Sequence, residues 1–203
     1  MKTIKLLLPA ILLQSMPSMA QKKTTEFYVN PNINIGHDYR NFNSRYTNLQ
    51  STLTLGYLWG NKNKHNFSVS ALAGGFGKPY KTYGFQMRYS FDYLAFTKNR
   101  FSLFLSPYIK STVNFAHYNS RNAMHWKNRT LSASIGIAPQ VEYRLSKRVD
   151  LVFSAPIGLF GISNSAGQIH DGTKEIRYHS SNTSFFPSME ANAGIRIRLF
   201  GKK

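Results

Sequence analysis

In eight stretches of this chain every charged side chain falls on one parity. Across residues 27–35, 49–59, 67–73, 83–95, 101–115, 131–145, 149–161 and 185–199 no odd-numbered position is charged. The charges inside them are Arg88, Asp92, Lys110, Glu142, Arg144, Asp150, Glu190, Arg196 and Arg198, all even. A β-strand sends alternate side chains to opposite faces, so the pattern predicts strands with one apolar wall and one polar wall. The clearest stretch sets Tyr83, Phe85, Met87, Tyr89, Phe91 and Tyr93 against Gly84, Gln86, Arg88, Ser90 and Asp92. No window of similar length supports a 3.6-residue helical period as well.

The N-terminus bounds where such strands could go. Lys2 and Lys5 precede an apolar run from Leu6 to Leu13, and Ser18-Met19-Ala20 closes the segment, which predicts a secretory signal peptide over 1–20 cleaved after Ala20. The apolar run is too short to span a bilayer, and no later segment approaches the roughly 18 consecutive apolar residues a spanning helix needs. Membrane insertion would therefore have to use strands closed into a ring. The remainder, 21–203, has the length of one domain. With no cysteine, disulfides, thiolate metal sites, thiol nucleophiles and a lipoprotein anchor are excluded.

Connections between the expected strands alternate in length. Short turns fall at Gly60 to Lys64, Thr97 to Arg100 and Ser146 to Arg148, and longer loops at 37–48, 76–82, 116–130 and 162–184. Short periplasmic turns and long extracellular loops are the habit of bacterial outer-membrane barrels. The expectation is an all-β, eight-stranded antiparallel up-and-down transmembrane β-barrel with both termini in the periplasm. A soluble barrel of lipocalin type satisfies the same alternation with its apolar face inward. The signal segment, aromatics near strand ends (Phe27, Trp59, Tyr83, Phe101, Phe115, Tyr143 and Phe185) and an apolar face interrupted only by Ser51 and Ser111 favour the membrane version.

If the odd face meets lipid, the nine even-face charges fill the lumen, where buried ions need partners. The up-and-down order puts Asp92, Glu142, Arg144, Asp150, Arg196 and Arg198 near the periplasmic end, with Arg88, Lys110 and Glu190 nearer the middle. The expectation is a salt-bridged plug; a narrow channel for small solutes is the alternative if those charges part.

On these residues the chain resembles the bacterial outer-membrane β-barrel superfamily that includes the small eight-stranded OmpA-like and OmpX-like barrels, especially the short basic versions common in Bacteroidota. Its last strand, Ala191 to Phe200, looks like the terminal aromatic signal read by the barrel-insertion machinery, which the resemblance implies as a partner. It departs from that pattern because Gly201, Lys202 and Lys203 follow Phe200. No catalytic or binding motif carries over with the resemblance.

Two constellations point to chemistry. Pairing Phe115 with Thr130 and Leu145 with Val149 places Pro107, Pro139 and Pro156 at nearly one height on adjacent strands, where each removes a backbone donor. Such a proline seam is similar in kind to the lateral gaps of lipid A palmitoyltransferase barrels; bulges that bend the wall are the plainer reading. His37-Asp38 and His170-Asp171 lie in expected loops with serines nearby. The run His179-Ser180-Ser181-Asn182 resembles a His-x-Ser element of lipid A deacylases, with Glu190 as a distant orienting acid. A lipid A-modifying acyltransferase or deacylase is thus the enzymatic alternative to a non-enzymatic surface role. The histidines show no HExxH or comparable spacing, so neither metal nor cofactor is expected.

Net charge is +18, and much of the surplus sits in the expected long loops: Arg40, Arg45, Lys78, Lys81, Arg121, Lys127, Arg129, Lys174 and Arg177. Beside aromatics these residues suit the phosphates of lipopolysaccharide or an external ligand. The secretory signal and the wall pattern argue against nucleic acid as partner. Outer-membrane lipid and a monomeric state complete the expectation.

Overall fold

The alternation becomes ten antiparallel strands: β1 (Thr24–Asp38), β2 (Tyr46–Gly60), β3 (Lys64–Gly74), β4 (Tyr80–Lys98), β5 (Phe101–Asn119), β6 (Met124–Arg144), β7 (Val149–Ser154), β8 (Ile157–Asp171), β9 (Lys174–Phe185) and β10 (Ser188–Lys202). They are seen in a computed structural model that describes residues 24–38, 46–60, 62–74, 80–119, 124–171, 174–185 and 188–202. The expected signal segment 1–20 lies outside the described residues, as do Arg40, Arg45, Lys78 and Arg121.

Each strand from β1 to β6 pairs with the next, and β1 also pairs with β10, so the sheet closes on itself. β7 and β8 follow one another along the same side of β6, and β10 and β9 along the far side of that pair. The ring therefore has eight staves, the last two each built from two segments. It is an eight-stranded up-and-down barrel. Its seventh stave is interrupted at Ala155-Pro156, where proline has no N–H to give the ladder. Ala155 N donates to Pro139 O at 3.0 Å and Glu190 N donates to Pro156 O at 3.0 Å, which stitches the break to both neighbours.

Turn chemistry closes the short end. Gly60 ends β2 at φ 127°, a conformation open essentially to glycine alone, and Asn99 sits at φ 54° between β4 and β5. Leu145 N donates to Val149 O at 2.9 Å in the third short turn.

Three expectations are corrected at the other end. The segment 162–184 is not a loop: β8 and β9 form a hairpin paired from Phe160 with Phe185 out to Asp171 with Lys174. Residues 116–130 are likewise mostly strand, since β5 and β6 pair as far as Asn119 with His125. Both segments carry polar side chains on each face, so hydrophobic alternation could not mark them. The expected odd-outward parity of 149–161 also fails past Leu159. The register shifts between Ile135 paired with Phe160 and Gly136 paired with Gly158, leaving Leu159 as a bulge residue. Phe160 and Ile162 then face outward and Gly161 is buried.

Candidate functional site

Inside the ring most buried side chains are polar, with Leu58, Leu72, Phe104 and Val152 as apolar filling between them. Thr52, Thr54, Asn66, Ser68, Ser70, Ser90, Asp92, Ser106, Thr112, Gln140, Glu142, Asp150 and Arg196 are all buried. Tyr28 and Tyr108 join them, each lying against a glycine of the next strand: Tyr28 is paired with Gly56 and Tyr108 with Gly136. A Cβ on Gly56 would fall 2.0 Å from Tyr28 Cζ, so only glycine leaves room for the ring. Tyr28 OH donates to Asn66 Oδ1 at 2.8 Å.

Charges occupy two levels of the lumen. Near the short turns Arg196 is ion-paired with Glu142 and its guanidinium lies 4.9 Å from the Tyr28 ring centre. Glu142 also accepts from Gln140 Nε2 at 2.8 Å. Arg198 is paired with Asp150, reaches Glu26 Oε2 at 3.2 Å and donates to the Lys147 carbonyl at 3.1 Å. Asp92 accepts from Ser90 Oγ at 2.8 Å. Arg144, expected in the lumen, is instead 59% exposed at the rim, 3.8 Å from Asp150. It is the last residue of β6, beside the open turn. Further up, Lys110 Nζ donates to Glu190 Oε1 at 2.6 Å, Asn34 Nδ2 donates to Glu190 Oε2 at 3.3 Å, and Arg88 stacks 4.6 Å from the Tyr108 ring centre.

The outside of the ring is the reverse. Ile33, Leu53, Leu55, Phe85, Met87, Ile109, Leu131, Ile135, Phe153, Ile162, Ile195 and Leu199 leave about half of their surface uncovered or more, and Phe67 and Val69 on β3 leave about two-fifths, so every stave contributes. A soluble lipocalin-type barrel would bury these residues and expose the charges. An apolar belt around a polar interior is the arrangement a bilayer covers. The chain is a transmembrane β-barrel.

No protein-family model and no curated protein matches the barrel. Among solved structures it is similar to Neisserial surface protein A, at 13% identity and a TM-score of 0.49 over 88% of this chain and 100% of that one. It is similar to a major outer membrane protein from Thermus thermophilus, at 10% identity and a TM-score of 0.49 over 86% and 99% of the two chains. It is also similar to the outer membrane protease OmpT from Escherichia coli, at 7% identity and a TM-score of 0.45 over 91% and 99%.

The barrel does not bring the catalytic candidates together. His179 and Ser181 lie on β9 with exposed side chains, paired across the hairpin with Ala166 and Asn164. Both share the outward face, opposite in parity to inward Tyr178, whereas Glu190 is inside the lumen and held by Lys110 and Asn34. The prolines are close in register but do not open a seam. Pro107 pairs with Ile137 and Pro139 with Leu105 in a β5–β6 register that runs without a shift from end to end. Only Pro156 marks a break. The side chains of His37 and Asp38 lie outside the described residues. No group of three or more metal-ligating side chains occurs among the described residues.

Sequence reasoning missed several lumen residues. Glu26 lies one residue before the first alternating stretch, and Lys64, assigned to a turn, begins β3 opposite Asp92 with its ammonium 5.6 Å from the Phe104 ring centre. Tyr28 and Tyr108 carried a signal that hairpin register would have exposed, an even-face tyrosine directly across from an even-face glycine.

The outer wall has a second charged feature. Across β4, β5, β6, β8 and β9 the register aligns Lys81, His117, Lys127, Gln168 and Arg177, and next to them Tyr83, Phe115, Arg129, Ala166 and His179. Residues directly opposite one another in paired strands share a face. Along β4 the cation Lys81 follows outward Tyr83 and Phe85; along β6 Arg129 and Lys127 follow outward Leu131. Tyr83 stacks on Phe115 at 5.4 Å and its hydroxyl lies 3.0 Å from His117 Nε2. On the opposite wall the corresponding outward residues, Ile33, Ile35, Leu49, Ser51 and Ala73, carry no charge.

Proposed function

We propose that the barrel sits in a bacterial outer membrane as a monomeric, non-catalytic surface protein that holds lipopolysaccharide phosphates against one side of its wall. The observation that carries this reading is the collar of Lys81, Lys127 and Arg129, each just beyond the last apolar wall residue of its strand, at the end with the long hairpins. Lipid-facing residues end and cations begin within two positions along the strand, where an outer-leaflet phosphate would lie. Arginine binds phosphate bidentately and lysine as a point charge. Long connections face outward in bacterial barrels, which supports placing the collar at the outer leaflet. The salt-bridged lumen supports a closed interior that stiffens the wall.

The test is native mass spectrometry of protein extracted from outer membranes, with and without Lys81→Gln, Lys127→Gln and Arg129→Gln combined. Retained lipopolysaccharide should fall severalfold in the triple variant while the folded yield is unchanged. Equal retention would refute the collar; recovery of the wild-type protein from inner-membrane fractions would refute the location.

A further inference from the structure

Above the paired charges the lumen holds a cavity of about 70 Å³, lined mainly by amides and hydroxyls, among them Asn32, Thr52, Ser70 and Gln86. Its cations and anions do not balance. Arg88, Lys110 and Arg196 line it together with Glu190 as the one carboxylate. Arg196 is matched by Glu142 outside the lining, and Glu190 is taken by Lys110 and Asn34. That leaves Arg88.

Among the described residues Arg88 forms no ion pair, and its Nε is enclosed with no acceptor. Glu190 feels the Arg88 charge across the lumen but is already held twice, by Lys110 and Asn34. Asp92 lies four residues along the same strand, about 13 Å away at the strand rise, and accepts from Ser90. The Tyr108 ring face offers Arg88 a cation–π contact, but that contact does not remove the penalty on a partly buried, unmatched ion. Guanidinium does not escape that penalty by losing its proton. The Tyr108 hydroxyl and the Thr52 Oγ1 are also enclosed without partners, and both can donate.

We propose that this cavity is a binding site for a small monovalent inorganic anion of the halide class, held by Arg88 and by hydroxyl donors of the lining. The volume holds a few water-sized particles, enough for a halide with part of its hydration shell. A divalent oxyanion would overcompensate a single unmatched cation. The bound anion makes the middle of the lumen neutral, as the lower level already nearly is.

Two measurements decide it. In crystals grown with bromide as the halide, anomalous density should appear in the cavity against Arg88, persist in Arg88→Lys and be lost in Arg88→Met. A wild-type cavity holding water and no bromide overturns the proposal, as does bromide that remains in Arg88→Met. In solution at constant ionic strength, replacing gluconate by chloride should raise the urea midpoint of the wild-type barrel, because a ligand bound only to the folded state stabilises it. The Arg88→Met variant should lose that chloride dependence. Equal dependence in both proteins overturns the site and shows the halide effect to be nonspecific.

Discussion

Removing Arg196 should be far more damaging than removing Arg196 and Glu142 together. Both are buried, at 2% and 7% exposure, and each is the other's ion-pair partner. Arg196→Met strands the Glu142 carboxylate in the lumen with the Gln140 amide bond and the more distant Lys64 and Arg198 charges to hold it. Breaking a buried pair by deleting one partner costs about 3–5 kcal/mol, and the residual help from Gln140, Lys64 and Arg198 sets the expectation near the lower figure. Arg196→Met also removes the cation from the Tyr28 ring, a smaller loss of about 1 kcal/mol. The double variant Arg196→Met with Glu142→Leu leaves no orphan charge and should lose only about 1–2 kcal/mol. The two effects are then strongly non-additive, as expected of groups in one network. Urea unfolding of protein folded into phospholipid vesicles, followed by fluorescence of Trp59 and Trp126, reads both. A single variant within about 1 kcal/mol of wild type, or a double variant as damaged as the sum of its parts, would refute the claim that this pair is buried and mutually dependent.

Two further outcomes follow from the same interior. Gly56→Ala should destabilise the barrel by about 1–3 kcal/mol in the same unfolding assay, because its Cβ would meet the Tyr28 ring and displace the bond to Asn66. Gly136→Ala should behave alike against Tyr108 and the Ile157 carbonyl. In planar bilayers the wild-type barrel should show no sustained unitary conductance, since the Arg196–Glu142 and Arg198–Asp150 pairs fill the lumen beside the neighbouring β6, β7 and β10 and the Lys110–Glu190 pair spans it; steady ohmic steps would show that the charges part.

The wall was legible because lipid and water enforce opposite penalties on the two faces of a strand. Charged residues such as Asp92, Glu142, Asp150 and Arg196 had one acceptable side, and parity alone located them. Where both faces meet water that constraint lapses, so Ser163, Ser165, Ser180 and Asn182 read as loop although they form a regular hairpin. The bulge at Leu159 did leave a trace: apolar positions run Leu151, Phe153, Ile157 and Leu159 and then switch to Phe160 and Ile162. Reading that switch as a register shift would have kept both large side chains on the wall. Of the candidate sites, the lumen network was legible by charge scarcity. The fold does not bring His179 and Ser181 to Glu190, because sequence proximity ignores which side of the wall a residue faces.

Glu190 ties these levels together. Its backbone N–H donates to the Pro156 carbonyl and helps carry the ladder past the break in the seventh stave. Its side chain accepts from Lys110 on β5 and Asn34 on β1, on different sides of the ring. One residue therefore closes the weakest point of the wall and spans the lumen at the level of the cavity. Pro156 lines that cavity as well, so the break in the backbone and the pocket beside Arg88 are adjacent features of one region. Below it, the paired ions pin β6, β7 and β10 to one another; above it, the β8–β9 hairpin extends past the apolar belt with polar residues on both faces. The interruption thus falls at the junction between the charge-locked base and the upper part of the apolar belt, where Phe160 and Ile162 continue the wall. Proline at that junction costs little, because the ladder bonds it forgoes are replaced from Ala155 and Glu190 on either side.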